Sequence, residues 1–116
     1  MRVKTEELTG TALDWAVAKC EAPVGGYKGW VQSDLDKGIL HGMAYSNDWL
    51  FSGPIIERER IYLQPEIGKE GAGNAWYAVS MYNTDAYGST PLIAAMRCYV
   101  ASKLGDEVEI PTEEIN

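Results

Sequence analysis

Long apolar runs are absent from this 116-residue chain. No stretch approaches the ~20 apolar residues that a transmembrane helix needs. Residues 1–6 are too polar for the apolar part of a signal peptide. The length suits one domain with a core of its own. We therefore expect a single soluble domain in the cytoplasm, with no membrane contact.

Histidine and cysteine are scarce, which limits the chemistry available to the chain. The single histidine, His41, lies in an apolar, glycine-flanked stretch, and no spacing pairs it with a nucleophile as a catalytic set requires. Cys20 and Cys98 have no neighbouring ligands at metal-site spacing, so we expect two buried free thiols, no metal and no cofactor. Phosphate-loop, dinucleotide-binding and metalloprotease motifs are also absent.

Basic residues are too few for a protein that binds phosphate backbones. The formal net charge is −7, and neutralising phosphates needs a basic face, so no nucleic-acid partner is expected. Five acids follow residue 105: Asp106, Glu107, Glu109, Glu113 and Glu114. We interpret residues 106–116 as a solvated acidic tail and residues 1–105 as the α/β domain.

Residues 88–105 carry a complete set of helix signals. Ser89 or Thr90 can cap the first amides, Pro91 suits the first helical position, and Gly105 suits the end. At about 100° per residue, one broad face of this helix is apolar. The opposite face is small rather than charged, and consists of Ala94, Cys98, Ala101 and Ser102. This composition predicts a helix covered on its second side, by the rest of the chain or by a partner.

The remaining patterns predict an α+β fold. A helix is expected over residues 11–20, with Trp15 projecting opposite its apolar face, and a short helix is expected with Pro54 at its first position. The clearest strand is residues 75–82, whose apolar residues on both sides indicate a central strand covered on both faces. Three further strands are expected at residues 27–31, 38–43 and 61–63. We predict about three helices packed with a small, mainly antiparallel sheet, an α/β sandwich.

Four blocks of this sequence resemble the phage NinX family. They are residues 8–20, 45–49, 53–59 and 91–105. The order of elements more distantly resembles the phage ABA sandwich domain. These resemblances imply an α/β sandwich and a phage or prophage protein in a bacterial host cell. They imply no catalytic residues, because none is assigned in the family.

Three hypotheses for the function follow. In the first, the chain is a non-catalytic interaction module that binds a host protein or itself, with interface residues Trp15, Ala94, Cys98 and Ala101. In the second, it binds a small metabolite or nucleotide, with site residues Tyr45, Asp48, Trp49, Arg58 and Arg97. Trp49 fits a core position equally well. In the third, it is an enzyme of unrecognised type, with Asp48, His41 and Glu57 as acid–base candidates.

Overall fold

The structure is a computed structural model that describes residues 1–22 and 42–111. These residues form three α-helices and two antiparallel sheets, which confirms the predicted α+β class. The helices are α1 (Gly10–Glu21), α2 (Trp49–Glu59) and α3 (Pro91–Leu104). The strands are β1 (Arg2–Lys4), β2 (Tyr62–Pro65), β3 (Trp76–Val79), β4 (Asp85–Gly88) and β5 (Glu107–Glu109). The sheet orders are β1-β5 and β2-β3-β4. No described helix has the length and apolar composition to cross a membrane.

The last helix, α3, has the ends that the sequence predicts. Thr90 Oγ1 accepts a hydrogen bond from the Ile93 amide at 3.1 Å, and Pro91 is the first helical residue. Gly105 ends the helix with a φ of 86°, which a residue with a Cβ rarely adopts. These local interactions fix where the central helix begins and ends.

Both sides of α3 are covered by the chain itself. The helix packs on β3 and β4 on one side and on α1 and α2 on the other. Ala94 and Cys98 are fully buried, and Cys98 Sγ donates to the Thr84 carbonyl oxygen at 3.2 Å, just before β4. The small-residue face therefore lies against the sheet, because small side chains allow a strand to approach the helix closely.

Helix α1 is enclosed on nearly every side. Nine of its twelve residues are buried, including the apolar face predicted from the sequence and also Trp15. The indole thus belongs to the core, and the Lys19 ammonium lies 5.9 Å from the centre of its ring.

The predicted start of α2 at Gly53 and Pro54 is wrong. The helix begins at Trp49, because the Asp48 carboxylate accepts from the Leu50 amide at 2.9 Å and caps the first turn. Pro54 therefore lies inside the helix, where it cannot donate to the Leu50 carbonyl. Leu50 is exposed, so water can satisfy that carbonyl.

The predicted strand over residues 75–82 is the central strand of its sheet, as expected, but it is shorter. The expected cover on both faces is wrong, because Tyr77 and Val79, on the side away from α3, are only half-buried. The strand ends at Val79 because Ser80 starts a turn: its Oγ accepts from the amides of Tyr82 and Thr84, both at 3.2 Å. The chain then returns as β4, a strand that the sequence analysis does not predict. The expected strand at residues 61–63 is observed as β2, one residue later. The one at 27–31 lies outside the described residues, as does most of the one at 38–43.

The sheet β1-β5 extends the fold beyond residue 105, where the sequence interpretation placed a solvated tail. Val3 pairs with Val108, and the N-terminal ammonium donates to the Ile110 carbonyl oxygen at 2.8 Å. Val108 and Ile110 are buried while Glu107 and Glu109 are exposed. This alternation is a strand signal, and the high acid content of the segment concealed it.

Gly88 is required by the close approach of β4 to α3. A Cβ on Gly88 would meet the Ala94 backbone nitrogen and lie 2.9 Å from the Ala94 Cα. We expect Gly88→Ala to lower the free energy of unfolding by about 2 kcal/mol or more, because two backbones must separate. The control is Gly53→Ala in α2, where a Cβ meets nothing within 4 Å and a better helix former should stabilise by up to about 1 kcal/mol. Urea unfolding of both variants measures the difference, and equal effects would refute the assignment.

The two thiols should make stability depend on pH in the alkaline range. Both cysteines are free, and burial raises the pKa of each to about 12 from 9.0, with the charge of Glu21 adding to the effect at Cys20 and that of Asp85 at Cys98. Above pH 9 the thiols ionise in the unfolded chain but stay protonated in the folded one. The free energy of unfolding should therefore fall between about pH 9 and 12, by up to about 1.4 kcal/mol per pH unit for each thiol. Denaturant unfolding at pH 8 to 10.5 measures the slope, and a Cys20→Ala, Cys98→Ala chain with an unchanged slope would contradict this account.

Candidate functional site

A buried carboxylate joins the three described helices. Glu21, at the end of α1, is 6% exposed. Arg58 of α2 donates to both of its oxygens, at 3.2 Å to Oε1 and 2.7 Å to Oε2. Tyr99 of α3 donates its hydroxyl to Oε2 at 2.5 Å. The hydrogen bonds from Arg58 to Glu21 raise the pKa of Arg58, and burial together with the Glu21 hydrogen bond raises the pKa of Tyr99. This cluster is internally satisfied and holds the helices together.

The residues proposed for a small-ligand site do not come together. Arg58 is engaged by Glu21, whereas Arg97 donates to the carbonyl oxygens of Leu8 and Tyr87. Arg97 and Tyr99, the α3 neighbour of Arg58, are two residues apart and therefore point about 200° from each other around the helix. One anion cannot bridge the two arginines in this arrangement.

The aromatic segment before α2 is divided between core and surface. Tyr45 is buried and packs edge to face with Phe51, with ring centres 6.1 Å apart. Asp48 is occupied as the cap of α2. Trp49 is 55% exposed and lines a cavity of about 420 Å³ between the starts of the three helices. From the sequence, Trp49 fitted a ligand site and a core position equally well. Its exposure shows that it is not a core residue.

The residues proposed for an interface lie mostly inside the chain. Trp15, Ala94 and Cys98 are buried, and Ala101 is half-buried beside the second cavity described below. The first three offer no surface to another molecule, so a contact surface must be sought elsewhere.

A larger cavity, of about 760 Å³, lies between the two sheets. Arg97 lines it together with acids that come from three different parts of the chain. Those acids are Glu6, Glu7, Asp85, Asp106 and Glu107. Burial lowers the pKa of Arg97, and the nearby charge of Glu6 opposes this shift. Sequence analysis selected Arg97 but missed the acids, because residues 5–7 and 106–107 meet only through the pairing of β1 with β5.

The outer face of the three-stranded sheet carries exposed tyrosines. Tyr62 lies opposite Val79, and Tyr87 lies opposite Tyr77, so all four share the face that points away from α3. Tyr62 is 57% exposed and Tyr87 is 42% exposed. The rings of Tyr77 and Tyr87 lie 5.0 Å apart. We call Tyr62, Tyr77, Val79 and Tyr87 the tyrosine face. Sequence analysis did not bring these residues together, because it did not predict β4.

The acid–base candidates are not assembled into a reactive set among the described residues. Asp48 caps α2, Glu57 is exposed on the same helix, and His41 lies outside the described residues. Within residues 1–22 and 42–111, no three His, Cys, Asp or Glu side chains are grouped so that they could hold a metal ion.

The fold and its surfaces define a small α+β protein with an internally satisfied ionic cluster, an acidic cavity and an exposed aromatic sheet face. The family model described as bacteriophage P22 NinX matches residues 4–103. The chain therefore belongs to the phage NinX family, and this membership indicates a phage accessory protein. The match covers α1, α2, all of α3 except Leu104, and the strands β2, β3 and β4. No curated protein matches the chain.

The ionic cluster of Glu21, Arg58 and Tyr99 predicts that the protein loses stability when Arg58 is replaced. Arg58→Met leaves the Glu21 carboxylate buried without its counter-charge, so we expect a loss of about 2 kcal/mol in the free energy of unfolding. Adding Glu21→Gln to that variant should restore part of the loss, since it removes the uncompensated charge. Arg60→Met is the matched control, because Arg60 is exposed and should change stability by no more than about 0.5 kcal/mol. Equal stability of the two single variants in urea would contradict the role given to Glu21.

Proposed function

We propose that this chain is a non-catalytic protein-interaction module that acts in the cytoplasm of the bacterial host and binds its partner through the tyrosine face. The observation that carries this proposal is the alignment of three tyrosines and a valine on one sheet surface, where Tyr62 and Tyr87 are exposed and the other two are half-buried. Helix α3 covers the opposite surface of the same sheet. The residues of the tyrosine face therefore do not pack against α3.

The chemistry of the tyrosine face suits a protein partner. Tyrosine offers a large apolar ring with only two rotatable bonds and a polar tip, and it is enriched where binding energy concentrates. Tyr77 donates its hydroxyl to Asp85 at 3.0 Å, and Tyr62 donates to Gln64 at 3.1 Å. These hydrogen bonds hold the two rings in place before a partner arrives, which reduces the entropy lost on binding.

The charges around the tyrosine face favour a basic host protein over a second copy of this chain. Asp85 lies on the same side of the sheet, and the acids of the larger cavity follow beyond Tyr87. Two copies that met through this face would bring these acids together in chains of net charge −7. A partner surface with Lys or Arg around an apolar centre would complement it.

The test compares three forms of the protein as bait in a host-cell extract: the wild type, Tyr62→Ala with Tyr87→Ala, and Tyr82→Ala. Tyr82 is 71% exposed but lies in the turn after β3, outside the tyrosine face. It is therefore a matched control for the loss of an exposed ring. A protein retained by the wild type and by Tyr82→Ala, but not by the double variant, is then purified and titrated by calorimetry.

We expect the double variant to bind the purified partner at least about tenfold more weakly than the wild type, because hot-spot tyrosines contribute more than about 1 kcal/mol each. Equal affinities of the three forms for the partner would exclude the tyrosine face as the binding surface. A wild-type dimer in light scattering that becomes a monomer in the double variant would show that the face binds a second copy instead.

A further inference from the structure

Arg97 is a buried cation that pairs with no carboxylate of the described residues. The residue is only 9% exposed. Its Nε donates to the Leu8 carbonyl oxygen at 2.8 Å, and its Nη1 donates to the Tyr87 carbonyl oxygen at 2.9 Å. Among the described residues no carboxylate lies within ion-pairing distance of the guanidinium, and Nη2 has no hydrogen-bond acceptor. Arg58, by contrast, meets both oxygens of Glu21.

The two carbonyls orient Arg97 but leave part of its charge unsatisfied. A guanidinium has five N–H donors, and a buried charge without an opposite charge is costly. Arg97 lines the 760 Å³ cavity, which lies within the size range of small-molecule sites. A carboxylate that entered the cavity could accept from Nη2 and supply the missing charge.

The acids at the rim of the cavity disfavour the binding of a simple anion. Among the described residues, five acids line the cavity and Lys4 is the second cation of the lining, while Arg2 lies 3.8 Å from Glu107 at its edge. The field of these acids repels a molecule that carries negative charge alone. A molecule that carries a carboxylate for Arg97 and a cationic group for the acids satisfies both ends of the cavity.

We propose that this cavity binds a small zwitterion, with its carboxylate on Arg97 and its cationic side chain against the rim acids Glu6 and Glu107. A free basic amino acid has this chemistry, and so does the C-terminal basic residue of a peptide. The cavity adjoins the tyrosine face at Tyr87. The proposed contacts with Arg97, Glu6 and Glu107 lie outside that face, so binding can be tested with no protein partner present.

Calorimetric titration of the full chain with three probes tests the proposal. L-lysine carries both groups, cadaverine is lysine without its carboxylate, and glycyl-glycyl-lysine presents the same groups at a peptide end. We expect lysine or the peptide to bind at least about tenfold more tightly than cadaverine, since a charge-assisted hydrogen bond from arginine is lost without the carboxylate. The tighter of the two identifies the source. Equal binding of cadaverine, or no binding of any probe at millimolar concentration, would overturn the proposal.

Replacing Arg97 separates recognition from general attraction to an acidic surface. Arg97→Gln removes a positive charge, so a cation held only by the acids would bind more tightly. If Arg97 holds the carboxylate, lysine or the peptide binds at least about tenfold more weakly. Tighter or unchanged binding by a folded Arg97→Gln chain overturns the proposal.

The exposed rim acids supply variants that do not depend on replacing a buried residue. Glu6→Gln with Glu107→Gln should weaken binding of the zwitterion, whereas Glu57→Gln on α2, outside the cavity, should leave it unchanged. Equal effects of the rim and control substitutions would also overturn the proposal. Circular dichroism confirms that each variant is folded before it is titrated.

Discussion

The buried carboxylate of Glu21 is the constraint on which the helical layer depends. It lies at the C-terminal end of α1, where the helix dipole disfavours a negative charge. Arg58 and Tyr99 compensate it from the other two described helices. Because a carboxylate without these partners would be costly to bury, the C-terminal halves of α1, α2 and α3 are held in one arrangement. The cluster thereby fixes which side of α3 remains for the sheet.

The two candidate surfaces are consequences of how α3 is enclosed. Its small residues lie against β3 and β4, with Gly88 in close contact with Ala94. The opposite face of that sheet is left to Tyr62, Tyr77 and Tyr87. Arg97 extends toward the gap between the two sheets instead of toward Glu21. Membership of the NinX family establishes an evolutionary relationship but no molecular activity. The search for that activity should begin at the tyrosine face and the acidic cavity.

Local signals in the sequence predicted the elements that depend on local interactions. The cap at Thr90, the proline at the first turn and the glycine after the last turn specified α3 almost to the residue. The start of α2 was misplaced because two rules competed. The preference of proline for a first turn favoured Pro54, but the carboxylate of Asp48 captured the amide of Leu50 and started the helix earlier.

The sequence by itself determined the α+β class, the central helix, the buried thiols and the resemblance to the NinX family, because each depends on composition or on neighbours along the chain. Only the tertiary structure decided that Glu107–Glu109 pairs with Arg2–Lys4, that Arg58 and Arg97 have different hydrogen-bond partners, and that Tyr62 and Tyr87 share a face. These outcomes join residues up to about a hundred positions apart. Strand register and side-chain pairing over such separations are set by packing, which no local pattern encodes.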